Sequence, residues 1–237
     1  MAENAVVPSK KRRKTENNEK IGLTSSSWTL KMIEEAYAPL DAYEVARSNR
    51  ARLRKEGKWQ DTESLQYGEI DCAEFGKLLR LLQPWLKTPK FLDIGMGTGK
   101  PVLVAASSGL FTSVTGVEVV SRLHEEAEAT LRKLESARGP PGPSVTLICD
   151  DCFNVSWQQL EPIGCVFLPI TCFTEEMVKK VAERVRSLRL GTLLITTSTL
   201  TALDDKTLCG KALKKLHEDR YKYGKGTMKF SVYEKVE

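Results

Sequence analysis

The stretch Phe91-Leu92-Asp93-Ile94-Gly95-Met96-Gly97-Thr98-Gly99-Lys100 reads as a buried strand that runs straight into a glycine-paved turn. Glycines at alternate positions remove side chains where the backbone must bend sharply, and they let a ligand lie against the amide groups. Pro101 follows, a residue tolerated at the start of a helix because its missing amide hydrogen is not needed there, so the spacing predicts a helix from about Pro101. The run is D-x-G-x-G-x-G. Dinucleotide oxidoreductases instead space their glycines G-x-G-x-x-G and use the loop and helix end to hold a pyrophosphate.

An acidic residue beside such a loop repels a pyrophosphate. It can, however, bind the ammonium and amide groups of an amino-acid-bearing cofactor such as S-adenosylmethionine. Asp93 therefore favours a methyl donor over NAD. About twenty-five residues on, Phe111-Thr112-Ser113-Val114-Thr115-Gly116-Val117-Glu118 reads as a second strand ending in a carboxylate. In doubly wound folds that position captures ribose hydroxyls, so Glu118 is the expected ribose anchor. The bland alternative for the loop, an ordinary tight strand-to-helix turn, loses weight because two acids accompany the glycines.

A chain of 237 residues holds one substantial core with room for a small helical appendage, which argues against two independent catalytic domains. No window approaches twenty uninterrupted apolar residues, and no apolar segment follows the basic run near the amino terminus. Neither a membrane span nor a secretory signal is read, and the chain is expected inside the cell. Cys72, Cys149, Cys152, Cys165, Cys172 and Cys209 mostly fall in apolar runs, which suits reduced, buried thiols rather than a disulfide framework. Cys149-Asp150-Asp151-Cys152 has zinc-like spacing, but no second pair matches it and His124 and His217 are the only histidines, so no metal is expected.

The net charge of +5 is unevenly placed, with Lys10-Lys11-Arg12-Arg13-Lys14 set in polar sequence that is expected to be disordered. Such a block is a nuclear localisation candidate and a source of sequence-independent contacts to DNA phosphates. A solvated tail without a specific role is the competing reading.

Beyond the tail, Ser27 to Tyr37 has a helical pattern closed by Pro39, and a second helical segment covers Asp41 to Lys55. Arg47, Arg50, Arg52, Arg54 and Lys55 give that segment a charged face, read either as solvated surface or as an extension of a nucleic-acid footprint. Phe75, Leu78, Leu79, Leu82 and Trp85 recur at helical spacing before the glycine-loop strand. Strand and helix then alternate: a helix from Ser121 to about Ala137, the Gly139-Pro140-Pro141-Gly142-Pro143 connector, and strands at Val145–Cys149, Cys165–Leu168 and Thr192–Thr197. A turn passes through Trp157, Thr174 caps a helix to about Leu188, and Thr227–Lys235 alternates as a closing strand. This pattern implies an α/β, doubly wound, mostly parallel sheet whose last strand can be antiparallel.

Gln66-Tyr67-Gly68-Glu69-Ile70, the loop Leu92–Lys100, Gly116-Val117-Glu118 and Thr171-Cys172-Phe173-Thr174-Glu175-Glu176-Met177 occur in an order that resembles the disruptor-of-telomeric-silencing family of non-SET histone lysine methyltransferases. The resemblance covers roughly Asp61 to the carboxyl terminus. It implies a seven-stranded class I, Rossmann-like methyltransferase sheet, S-adenosyl-L-methionine as cofactor, a nuclear location, and a core lysine of histone H-three in nucleosomes as acceptor. The implied organisation is a basic tail over 1–22, a helical extension with a cofactor lid over 23–74, and the methyltransferase domain over 75–237.

By the same resemblance Tyr67 and Glu69 belong to the lid. Asp93, Gly95, Gly97, Thr98, Gly99 and Lys100 surround the methionine part of the cofactor, Glu118 holds the ribose, and Asp151 approaches the adenine beside Cys152 or Phe153. Two positions depart from the pattern. Family members usually carry an asparagine before the Phe-containing helix start, where this chain has Leu168-Pro169-Ile170-Thr171-Cys172-Phe173, and Lys100 stands where many relatives have glutamine.

Methyl transfer from a sulfonium is an in-line displacement that needs a neutral amine, alignment and exclusion of water. Tyr67, Thr171 and Phe173 are the candidates on the acceptor side, with Tyr233 a further aromatic for a lysine channel; core packing is the competing reading for each aromatic. The alternatives for function are a methyltransferase of the same fold acting on a non-histone protein or a nucleic acid, and a catalytically silent chromatin-binding module whose acceptor site has decayed at Pro169.

Overall fold

The computed structural model describes residues 28–57, 65–137, 142–160, 162–197 and 211–237. The basic run at 10–14, Ser27, Cys209 and part of the 139–143 connector fall outside them.

Three helices precede the sheet, each begun by an oxygen-bearing cap. Thr29 accepts from the Met32 amide ahead of α1 (Leu30–Tyr37), Asp41 from the Glu44 amide ahead of α2 (Ala42–Glu56), and Asp71 from the Ala73 and Glu74 amides ahead of α3 (Cys72–Leu82). Each such cap is worth about 1 kcal/mol of helix stability. Ile33 and Tyr37 of α1 and Phe75, Leu78, Leu79 and Leu82 of α3 are buried in one apolar cluster with Val102–Ala106 of α4 (Lys100–Ser107). The helical extension therefore shares its core with the sheet's first crossover helix.

The strands are β1 (Lys90–Ile94), β2 (Ser113–Glu118), β3 (Ser144–Cys149), β4 (Cys165–Leu168), β5 (Leu193–Thr197), β6 (Leu213–Tyr223) and β7 (Gly226–Lys235). They form one seven-stranded sheet in the order β3-β2-β1-β4-β5-β7-β6. The first five are mutually parallel, and β7 runs antiparallel to both β5 and β6. Crossover helices α5 (Ser121–Ala137), α6 (Trp157–Leu160) and α7 (Glu175–Ser187) complete the alternation. This is the doubly wound, mostly parallel architecture expected from the sequence. The turn expected through Trp157 is a short helix, and Trp157 itself is buried.

β6 has no counterpart among the expected strands. Its sequence, LKKLHEDRYKY, is dominated by charge, because as the outermost strand it buries few side chains and is kept from further pairing by its charges. β1 lies between β2 and β4, so chain direction across the sheet reverses there, and the carboxyl ends of β1 to β4 open onto one crevice.

Candidate active site

That crevice contains a cavity of about 270 Å³, near the lower end of ligand-pocket sizes. Its floor comes from the strand ends: Ile94 to Gly97 after β1, Val117 to Val120 after β2, Asp150 to Cys152 after β3, and Pro169 with Thr171 to Phe173 after β4. Leu65 to Ile70 close one side. Tyr223 and Met228, from the two strands of the β6–β7 hairpin, close the acceptor end.

The glycine loop returns from β1 as expected. Gly97 has φ +58°, and a Cβ there would stand 2.5 Å from the Tyr67 ring, so only glycine lets the lid tyrosine lie on the loop. The Gly97 amide donates to Glu118 Oε2 and the Val120 amide to Glu118 Oε1, both at 2.8 Å. Burial raises the Glu118 pKa, against the opposing effect of these amides. Glu118 lines the cavity, and a carboxylate has acceptor capacity beyond these two amides that suits hydroxyl donors.

Lid and loop meet at Glu69. Tyr67 Oη donates to Glu69 Oε1, Thr98 Oγ1 donates to the same oxygen at 3.2 Å, and Lys100 Nζ donates to Oε2 at 2.6 Å. Tyr37 Oη donates to the Thr98 carbonyl at 2.6 Å, and its ring centroid lies 5.0 Å from Lys100 Nζ. Burial, with the Glu69 carboxylate next in effect, raises both the Tyr37 and Tyr67 pKa values well above the usual phenol range, so both remain donors.

The lid is also tied to the hairpin. The Asp71 amide donates to the Lys222 carbonyl at 3.0 Å, the Gly224 amide to the Glu69 carbonyl at 2.8 Å, and Ile70 forms an antiparallel bridge with Tyr223. Gly68 permits this approach, since a Cβ there would fall 2.4 Å from Tyr223 Cε1.

Of the residues singled out from sequence, Tyr67, Glu69, Gly95, Gly97, Lys100, Glu118, Asp151, Cys152, Thr171 and Phe173 all line this one cavity. Asp93, Thr98 and Gly99 stand behind its wall. Asp93 is fully buried with neither carboxylate oxygen hydrogen-bonded, and burial, then the Glu118 charge, raises its pKa well above the carboxylate range. An orphaned carboxylate behind the glycine loop fits a cofactor bearing an ammonium group. Beside Asp151 it is Cys152 that reaches the cavity. Phe153 turns away to lie under Lys180 Nζ, 5.6 Å from its ring centroid.

Tyr233 is corrected from its expected place in the channel. It faces the second apolar cluster with Leu194 and Lys215 Nζ 5.6 Å from its ring centroid, because β7 alternation points it to the opposite side of the sheet from Val232. Met96, Tyr223 and Met228 were not singled out. Met96 is the residue between two loop glycines, and Tyr223 and Met228 flank a Gly-Lys-Gly turn that is itself a hairpin signal. Among the described residues no three His, Cys, Asp or Glu side chains are grouped to hold a metal, and no helix is long and apolar enough to cross a membrane.

No curated protein matches the sequence. The solved structures it resembles share its fold at low identity. Putative methyltransferase yhhF from Escherichia coli is 15% identical with a TM-score of 0.52, covering 72% of this chain and 89% of that one. A putative RNA methyltransferase from Pyrococcus horikoshii is 13% identical with a TM-score of 0.50, covering 70% and 81%. The PH0226 protein of the same organism is 18% identical with a TM-score of 0.51, covering 69% and 90%. Residues 43–232 match the family described as Histone methylation protein DOT1, a span that starts within α2 and so includes the helix packed over the lid. By that match the chain belongs to the DOT1 histone methylation family, and it is a methyltransferase that uses S-adenosylmethionine.

Proposed function

We propose that the protein methylates a lysine amine on a core histone, in keeping with its membership of a histone methylation family, with histone H-three in the nucleosome the acceptor that the sequence resemblance implies. The observation that carries the reading is the acceptor end of the cavity. Pro169, Thr171, Cys172, Phe173, Tyr223 and Met228 bring no ionised side chain there, whereas Glu69, Lys100, Glu118, Asp150 and Asp151 gather along the rest of its wall.

S-adenosylmethionine supplies an activated methyl group on a sulfonium. Everything else falls to the chain. A lysine entering an apolar, water-poor passage is driven toward its neutral, nucleophilic form, because burial disfavours the ammonium. Phe173 and Met228 exclude water, and the Tyr223 hydroxyl, with no hydrogen-bond partner among the described residues, is free to accept from the incoming amine. Thr171 Oγ1 is occupied by Thr197 Oγ1 at 3.2 Å, which makes it a wall of the passage rather than a base. The basic run at 10–14 would serve nuclear import and grip DNA phosphates.

Pro169 lines the cavity where relatives carry an amide, and this favours one second reading, a cofactor-retaining chromatin binder without transfer. The deciding experiment measures radiolabelled methyl transfer to intact nucleosomes, free histones and a nuclear extract, with Asp93→Ala as control. Label on nucleosomal histone H-three that disappears in the variant is the expected result. Label confined to another extract protein keeps the enzyme and discards the histone. Measurable cofactor binding without any label establishes the silent binder.

A further inference from the structure

α2 lies on the outside of the lid. Its Ala46, Val45 and Leu53 pack with Leu65, Tyr67, Val120 and Leu123, all of which line the cavity. The flank beside that packed face carries Tyr43, Arg47, Arg50 and Arg54, spaced i, i+4, i+7 and i+11, so the three arginines form one stripe about 10 Å long at 1.5 Å rise per residue. The stripe starts at the hairpin tip: the Tyr43 ring centroid is 5.5 Å from that of Tyr67, and a Cβ on Gly224 would stand 2.8 Å from Tyr43 Oη.

That tip is basic as well. Residues 220–229 include Arg220, Lys222, Lys225 and Lys229, of which Lys229 is paired with Glu218 at 2.9 Å. Arg50 and Lys225 have no counter-ion among the described residues, while Lys222 has only Asp71 at 3.6 Å and Arg47 is paired with Glu44. Burial raises the Cys172 thiol pKa and the Arg50 charge partly opposes it, so Arg50 is within electrostatic reach of the acceptor end.

We propose that the arginine stripe of α2 and the lysine tip of the β6–β7 hairpin form a phosphate-binding rim around the acceptor mouth, which takes the backbone of duplex DNA running past the acceptor lysine. This rests on the reading of the acceptor as part of a nucleosome. Duplex DNA is the occupant because its charges recur along a line, as the stripe's do, and guanidinium forks bind phosphate oxygens in pairs. An acidic protein surface offers no such linear array.

The test is binding of the full-length protein to a fluorescent DNA duplex, followed by anisotropy across a salt series. Wild type is compared with Arg50→Gln/Lys225→Gln. The charge-matched control is Lys87→Gln/Lys211→Gln, at the opposite end of the sheet, where Lys87 meets Gly191 and β6 begins. Two lost phosphate contacts make the slope of log affinity against log salt shallower by about 1.8, at roughly 0.9 per contact, while the control keeps the wild-type slope. The proposal is overturned if the rim variant binds DNA with the wild-type slope and affinity, or if it loses affinity only for DNA-free histone octamer, which would assign the rim to an acidic protein. Transfer assays on nucleosomes separate the two claims. A wild-type rim effect without histone labelling sinks the histone reading alone, and histone labelling with an unchanged rim variant sinks the rim alone.

Discussion

Lys100 is the residue through which the cofactor loop holds the lid, and replacing it gives a quantitative test. Its ammonium is 2.6 Å from Glu69 Oε2, and the two side chains are only 19% and 15% exposed. Breaking a fully buried pair from one side costs about 3–5 kcal/mol, and an exposed pair is worth about 0–1. The residual exposure places Lys100→Met near the middle, at about 2 kcal/mol of folding stability. Loss of the cation over the Tyr37 ring adds up to about 1 kcal/mol.

Lys100→Gln keeps a donor but is shorter, so about 1 kcal/mol is expected. Glu69→Gln/Lys100→Met should recover part of the loss, because no carboxylate is then left without its cation. The assay is urea denaturation of wild type, these three variants and Glu69→Gln, which completes the cycle, with calorimetric titration of S-adenosylmethionine alongside. Donor affinity should fall roughly tenfold in Lys100→Met, the equivalent of about 1.4 kcal/mol withdrawn from lid closure. A Lys100→Met stability within about 0.5 kcal/mol of wild type, together with no coupling to Glu69, would refute the reasoning.

Gly68→Ala forces a methyl group to within 2.6 Å of Tyr223 Oη and should cost about 1–3 kcal/mol with weaker donor binding; an unchanged melting curve would show that the lid stands elsewhere. Burial, and then the Glu118 charge, raises the Asp93 pKa in the fold, so folding favours its protonated form relative to the unfolded chain. Its contribution to stability is present below the ordinary carboxylate range and is lost as pH rises toward its folded pKa. Asp93→Asn should therefore raise the melting temperature of the donor-free protein by an amount that grows as pH rises above about 4, the ordinary carboxylate value; a gain independent of pH contradicts this. Tyr223→Phe should lower kcat on a lysine acceptor about tenfold with donor affinity unchanged, one hydrogen bond's worth, and equal rates would remove the hydroxyl from the acceptor side.

The parallel half of the sheet was legible because its strands are short apolar runs and its first turn is written in glycines. β6 was not. A strand such as Leu213–Tyr223, at the edge and mostly exposed, gains little from burial, so its pairing with β7 is decided by backbone hydrogen bonds that leave no mark in hydropathy. The site divided along the same line. Residues on the loop and strand ends, such as Gly97 and Glu118, follow from local pattern. Tyr223 and Met228 reach the cavity only because a distant hairpin folds against the lid. Asp93 was identified as an acid at the loop, but the sequence does not reveal that it lies behind the wall, since that depends on how Ile94 and Gly95 turn toward the crevice.

The hydrogen bonds joining Glu69 and Asp71 to Lys222 and Gly224 have a consequence for the growing polypeptide. Residues in the first third of the chain are completed by residues near its end, so this contact is among the costliest to form by loop closure. During synthesis, the strands that carry the glycine loop and Glu118 emerge well before the hairpin that fastens their cover. A nascent chain stalled before β6 would hold an open crevice, and any shortened product lacking the final two strands would lose its lid anchor along with its acceptor wall.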